Sequence, residues 1–423
     1  MSSGPGRFLL HASITLGMLA VALLVYAHFG NGDIAFGNLV LRTQKGTSYP
    51  LQAPSSSSLR PRPPSVAEEY SDAPGVGNVV IFIGDGMGVG TVSAASALLE
   101  RPGSTLNMME TSFIGLVRTW AANTLATDSA ASGTALATGF KTNKKIVSML
   151  PDGSVPRSLF EAAQNQGVTT GVITTSGLVD ATPACFSTHV TNRDHHDQIL
   201  EQMLDSGTSA LIGGDWSNND KAKRNRRFRE MESRAEELGA ARGYHVIRNP
   251  DALNSASLPI LALFPPRNGF AEQHGPPLAV SAHRVVELLL QEKNRFLLLI
   301  ECEVIDGTAH ENDIEKTMAG MRELDEAVGE VLALVSARGD TLVLVTADHD
   351  AGGLSLIDGY YEDGATTVRW STKEHTSEWV PLFAFGPGAE RFAGMVDNTE
   401  LPVRIAQVLD LHPFPYLTES ATN

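Results

Sequence analysis

Asp348 and His349 stand side by side at the end of an uncharged run, Thr341-Leu-Val-Leu-Val-Thr-Ala. Such a run reads as a strand buried on both faces of a parallel sheet. Ligands of open α/β sheets sit beyond the carboxyl ends of the strands. An adjacent carboxylate and imidazole there can ligate zinc through oxygen and nitrogen. Taken alone, the pair reads instead as a helix N-cap followed by a surface histidine; the rest of the chain reverses that choice. Asp306 and His310 are four apart, so on a helical turn both face one way and can share one metal. Asp85 lies in Gly84-Asp-Gly86, after the apolar run Val79–Ile83. The glycines allow a tight turn and leave the carboxylate uncrowded. The G-x-G-x-x-G spacing of a dinucleotide loop is absent.

Ser129 opens a stretch of mostly small residues, Ser129 to Ala137, that reads as a closely packed helix. Backbone N–H groups and the helix dipole at its N-terminus favour an anion, the place a serine attacking phosphate would occupy. No Gly-x-Ser-x-Gly elbow surrounds it. Asp180 and Thr182, two apart in Asp-Ala-Thr-Pro, can reach a hard cation such as Mg²⁺ directly or through water. Arg193 could clamp two phosphate oxygens. Glu301 ends the apolar run Phe296–Ile300, and is preferred over Glu303 because it lies nearer the strand end. His375, alone, reads as a surface histidine. Each of these has a bland counterpart: an Asp-Gly turn, an N-cap, a surface ion pair.

The elements that position these residues are those of an α/β protein. Buried strands are expected at 78–83, 168–175, 296–300, 341–346 and 380–385, with helices at 129–137, 158–166 and 313–338. Lys221 to Arg229 reads as a solvated basic face in a charged, helical stretch, and 265–277 as a Pro/Gly-rich loop. Upstream, Phe8 to Phe29 is an apolar run of about 22 residues, long enough to cross a bilayer. No clean signal-peptidase site follows Tyr26, which favours an uncleaved transmembrane anchor over a signal peptide. Residues 1–30 are therefore read as the anchor and 31–77 as a Pro/Ser-rich linker, extended or disordered from Tyr49 to Gly77. Residues 78–418 form the catalytic domain.

The chain has 423 residues, 42% of them hydrophobic, enough for a large core. Its net charge of −16, from 48 acids and 32 bases, argues against a nucleic-acid partner. For an enzyme acting on anions, local metal or arginine would have to reverse that field. Cys185 and Cys302 are too few for a disulfide framework and read as reduced, buried thiols.

Six motifs in order resemble the alkaline phosphatase family over Asn78 to about Pro413. They are Gly84-Asp-Gly-Met-Gly88, Thr127-Asp-Ser-Ala-Ala-Ser132, Asp180-Ala-Thr-Pro-Ala184, Asp306 with His310, Thr346-Ala-Asp-His349 and Glu374-His-Thr376. The resemblance implies a three-layer sandwich around a large, mostly parallel, doubly wound sheet. It implies hydrolysis of small phosphate monoesters through a phosphoserine on Ser129. Asp306, His310 and His375 would hold one Zn²⁺; Asp85, Asp348 and His349 a second; Glu301, Thr182 and Asp85 a Mg²⁺. Asp180 would orient metal-bound water, and Arg193 would grip the phosphate. A homodimer is usual in the family. With the anchor, the catalytic domain would be extracytoplasmic, or secreted if the N-terminal segment is cleaved.

Two departures concern the surroundings of the site. Asp350-Ala351 stands where many members place a histidine two residues after the Asp-His pair, and Gly307 where better-known members have a larger polar or aromatic residue. They bear on rate, metal preference and pH optimum more than on reaction type. Three rival readings fit the residues less well. A sulfatase would want Cys or Ser followed by x-Pro-x-Arg, which Ser129-Ala-Ala-Ser-Gly lacks. A phosphodiesterase of the same superfamily fits Arg193 less well, since that residue suits a substrate with more free phosphate oxygens. A silent, membrane-tethered metal-binding protein would have no need of Ser129.

Overall fold

A computed structural model describes residues 75–99, 105–214, 233–264, 275–360 and 365–417. It also describes a short antiparallel pair, β1 (Ile34–Phe36) with β2 (Leu39–Leu41). That pair, built from two apolar triplets, falls inside the stretch 31–77 expected as linker. The apolar run 8–29 and the Pro/Ser-rich segment 49–74 lie outside the described residues, as do 215–232 and 265–274. Among the described residues no helix is long and apolar enough to cross a membrane.

The catalytic unit is built on ten strands. In chain order they are β3 (Asn78–Gly84), β4 (Phe113–Arg118), β5 (Thr169–Gly177), β6 (Ala210–Gly214), β7 (His245–Ile247), β8 (Ile260–Leu263), β9 (Phe296–Cys302), β10 (Thr341–Thr346), β15 (Val380–Phe385) and β16 (Gly394–Asp397). Four shorter strands, β11 (Asp350–Ala351), β12 (Leu354–Tyr360), β13 (Ala365–Trp370) and β14 (His375–Thr376), form two separate pairs, β11 with β14 and β12 with β13. The sheet order is β16-β4-β15-β10-β3-β9-β5-β6-β8-β7. Neighbours from β10 to β7 are parallel, and β15 runs against both β10 and β4. Parallel strands must be covered on both faces, because successive side chains alternate between them. Every residue of β3, β9 and β10 is buried, which is why these runs carry no charge before their last residues.

Helices complete the layers. Ile314–Val335 packs on β3, β9 and β10 and on the helix Leu278–Gln291. Ser129–Thr138 packs on Ala181–Ser187 and Glu400–Val408. Its small residues answer to close approach: a Cβ on Gly133 would lie 3.0 Å from Cys185 Sγ. Cys185 and Cys302 are both buried and unbridged, as expected.

Candidate active site

The centre of the sheet delivers four of the candidate residues to one end. In the parallel register Glu301, Ile83 and Thr346 form one row across β9, β3 and β10. Asp85, Asp348 and His349 follow at once beyond that row. Gly86 makes the turn after Asp85 with φ +74°. A Cβ there would lie 2.9 Å from both Asp306 and Ala351, so no other residue fits. The Gly86 N–H donates to Asp348 Oδ1 at 3.2 Å, and the His349 N–H donates to the same oxygen at 2.9 Å. Asp348 Oδ2 and Asp85 Oδ1 lie 3.1 and 3.4 Å from His349 Nε2. Behind this corner, Ser132 Oγ donates to the Asp348 carbonyl at 2.6 Å and accepts from Asn398 Nδ2 at 3.0 Å. Asn398 Oδ1 accepts from the buried Lys141 Nζ at 2.5 Å, which also pairs with Asp397 at 2.9 Å.

A second cluster stands beside the first. The helix Val304–Ala309 carries Asp306 and is followed by His310, whose Nε2 lies 3.2 Å from Asp306 Oδ2. His375 comes from far along the chain. It is brought in by the two-residue pairing of β11 with β14, which sets Ala351 opposite His375 and Asp350 opposite Thr376. Asp350 Oδ2 accepts from Thr376 Oγ1 at 2.6 Å and from the Gly353 N–H at 3.2 Å, clamping this loop. His375 Nε2 then lies 3.5 Å from Asp306 Oδ1 and 3.1 Å from His310 Nε2. The His375 and His349 rings stack with centroids 3.6 Å apart, so the clusters are neighbours.

Ser129 sits where its helix begins. Asp128 caps that helix, accepting from the Ala131 N–H at 3.0 Å. Ser129 Oγ is 3.4 Å from His349 Nε2, and the carbonyl of Thr127 accepts from His375 Nδ1 at 2.9 Å. Arg193 donates through Nη2 to Asp180 Oδ1 at 2.6 Å, and its Nη1 is 3.9 Å from Asp128 Oδ2. Asp180 also accepts from Ser176 Oγ at 2.6 Å and the Ala181 N–H at 2.7 Å. Those bonds fit Asp180 for orienting its neighbours rather than for binding a cation directly. Glu301 Oε2 accepts from Thr174 Oγ1 at 2.5 Å. The buried Thr182 hydroxyl also lowers the Glu301 pKa, from outside full hydrogen-bond geometry.

Sequence spacing assigns no role to Asp128, Thr174, Ser176 or Asp350. Their partners lie up to 127 positions away, as for Thr174 and Glu301. Asp128 stands inside one of the six motifs and Asp350 stands out as a departure from the family pattern, whereas Thr174 and Ser176 carry no signal.

The protein alone makes this a strained place for charge. Burial first, then the surrounding acids, pushes Asp85 well above the usual carboxylate range, Glu301 to about 8 and Asp348 to about 7. Burial drives His349 well below its ordinary value. Asp306 raises His310 to about 9. Cations are the natural remedy, and the donor set fits them. Asp85 Oδ1, Asp348 Oδ2 and Asp306 Oδ1 are buried acceptors without a hydrogen bond, and each faces an imidazole nitrogen of its cluster. The Lys373 and Thr127 carbonyls accept from Nδ1 of His310 and His375. In the neutral rings that leaves both Nε2 atoms as lone-pair donors, as in metal-ligating histidines, and a cation there would displace the proton that Asp306 holds on His310. Each trio can offer one atom per residue with all three atoms within 4.8 Å of one another.

This architecture has relatives. A model of the alkaline phosphatase family matches residues 76–367. The chain belongs to that family. It is 28% identical to alkaline phosphatase 3 of Bacillus subtilis over 78% of this chain and 88% of that one. It is 30% identical to streptomycin-6-phosphate phosphatase of Streptomyces griseus, covering 82% of this chain and 93% of that one. Alkaline phosphatase from the Antarctic bacterium TAB5 superposes with a TM-score of 0.68 at 24% identity, over 81% of this chain and 100% of that one. That last likeness is one of fold.

Proposed function

We propose that this alkaline phosphatase family member hydrolyses small phosphate monoesters through a phosphoserine on Ser129. The observation that carries the reading is the serine's place: at a capped helix N-terminus, 3.4 Å from His349 Nε2, beside two neighbouring trios of acids and histidines. Asp306, His310 and His375 would hold one zinc, Asp85, Asp348 and His349 a second, and Glu301, Thr182 and Asp85 a magnesium. Such ions, when bound, act as Lewis acids on the attacking and leaving oxygens and ease ionisation of the serine.

The chain's own groups do the rest. Arg193, held in place by Asp180 and Asp128, presents its remaining N–H groups to the non-bridging phosphate oxygens. The helix N-terminus adds partial positive charge at the same spot. Ser129 Oγ loses its proton and forms a bond to phosphorus as the ester P–O bond breaks, and the alcohol leaves with a proton. Water then repeats the displacement at phosphorus, restoring Ser129 and releasing inorganic phosphate.

The test uses p-nitrophenyl phosphate at alkaline pH with zinc and magnesium supplied. Release of nitrophenol is expected, with loss after chelation and in Ser129→Ala; unchanged turnover in Ser129→Ala removes the covalent step. We further propose that 8–29 anchors the chain with its catalytic domain outside the cytoplasm, and that the protein forms a homodimer. Release of the full-length chain by detergent-free extraction refutes the anchor, and a monomeric mass in solution refutes the dimer.

A further inference from the structure

One acid beside the site takes no part in the reaction above. Glu303 precedes the helix Val304–Ala309 with helical backbone, φ −78° and ψ −24°, so it turns out of the line of β9 that ends in buried Glu301 and Cys302. Its N–H donates to Thr175 Oγ1 at 2.9 Å, which fixes the residue at the strand end. Its side chain lies along the first turn of the helix: a Cβ on Gly307 would stand 3.1 Å from Glu303 Oε1 and 3.9 Å from Oε2. Gly307 directly follows Asp306 of the metal trio, so the carboxylate rests at the edge of the centre, in space a larger residue would fill. Glu303 is half-buried, and among the described residues none forms a hydrogen bond or ion pair with its carboxylate. Burial, then Asp180 and Asp306, raises its carboxyl to about 8 against the opposing pull of His310 and Arg193, so it is a carboxylate in the alkaline range; the Arg193 guanidinium is already committed to Asp180 and Asp128.

An unpaired carboxylate beside a phosphate site repels the phosphoryl group. It becomes favourable only when the substrate itself brings a positive charge, and it then discriminates against neutral competitors. We propose that Glu303, in the space left by Gly307, receives a cationic group on the alcohol part of the substrate. The favoured substrates are therefore phosphate monoesters of amino or quaternary-ammonium alcohols. This rests on the phosphomonoesterase reading and deepens it.

The test compares, at alkaline pH above the Glu303 value of about 8, kcat/KM of the metal-loaded full chain on choline phosphate and on 3,3-dimethylbutyl phosphate, its uncharged carbon isostere. Choline phosphate should be favoured roughly fivefold, the size of a partly exposed charge pair. Glu303→Gln should abolish the preference. Gly307→Lys should do the same, because its ammonium can pair with the carboxylate four residues earlier. Zinc content and circular dichroism report whether each variant is intact. Equal kcat/KM for the two esters in the unaltered protein overturns the proposal. So does a preference that survives Glu303→Gln, or a change in Glu303→Gln that affects both esters alike. If neither ester is hydrolysed, the phosphatase reading fails and takes this inference with it; hydrolysis of both without discrimination refutes the inference alone.

Discussion

Replacing Asp350 with asparagine should stabilise the metal-free protein at alkaline pH. The carboxylate is buried, at 2% exposure, and burial raises its pKa to about 6 despite hydrogen bonds from Thr376 and Gly353. A carboxyl raised in the folded state keeps its proton where the unfolded chain, near 3.8, has lost it. Stability therefore falls as pH rises from about 4 to about 6 and stays low above that. At about 1.4 kcal/mol per pH unit, the ionised group costs the fold about 3 kcal/mol at pH 8. Asparagine keeps the shape and can keep both bonds, because Thr376 Oγ1 and the Gly353 N–H donate to one oxygen, Oδ2. The other side-chain atom faces Gly88, where a Cβ would be only 1.8 Å from Oδ1, so the new amide meets little but backbone. The expected gain is about 1–3 kcal/mol at pH 8, starting to shrink as pH falls below about 6 and reaching zero near 4. Denaturant titration of chelated protein at several pH values measures it. An Asp350→Asn variant less stable than its parent at pH 8, or a gain independent of pH, would refute the reasoning.

Asp350→Ala, by contrast, frees the β11–β14 pair, and affinity for the first metal should fall about 10–100-fold, as read by competition with a chromophoric zinc chelator. Between about pH 6.5 and 8.5 the metal-free protein should lose stability. In that window Glu301, Asp348 and His310 keep protons in the folded state that the unfolded chain has released. The lowered histidines, His349 and His375, oppose this only below about 6.5. Metal-loaded protein should lack that fall, and thermal melts with and without chelator decide it. Lys141→Met leaves Asp397 uncompensated in the interior and should cost about 3–5 kcal/mol, checked by denaturant midpoint. Arg193→Ala should weaken inhibition by inorganic phosphate about tenfold or more, and an unchanged inhibition constant would remove Arg193 from phosphate binding.

The parallel strands could be read before their order could. β3, β9 and β10 announce themselves because burial on both faces keeps charge out until their ends, where the chain places Glu301 next to last in β9 and Asp85 and Asp348 just beyond β3 and β10. The strands β4, β6, β7, β8 and β16 of the same sheet carry no such signal. All but β4 have only three to five residues, β6 ends in two glycines, and β4, as long as β10, has its first two residues exposed, so neither hydrophobic length nor alternation marks them. The reversal of β15 against β10 is also invisible in a six-residue apolar run, since burial looks the same in either direction. At the site, the trios could be named from motifs, but their supports could not. Thr174 holds Glu301, Ser176 holds Asp180 and Asp128 approaches Arg193 through contacts set by tertiary packing, and no local spacing encodes them.

His375 shows why the pieces cohere only in three dimensions. By spacing alone it belongs to the surface, 65 positions from His310, and β14, which carries it, has two residues. What turns it into a candidate ligand is a set of individually small constraints. Gly352 and Gly353 turn the chain at φ +75° and +57°, Asp350 grips Thr376, and the Thr127 carbonyl takes the Nδ1 proton. The residue that supplies that carbonyl stands two positions before Ser129. Any shift of the His375 loop therefore pulls on the segment that carries Ser129, and the buried Asp350 anchors that loop. A buried side chain one hydrogen bond from the strand that carries His375 acts on the site by what its Oδ2 holds still, a task an asparagine oxygen can share.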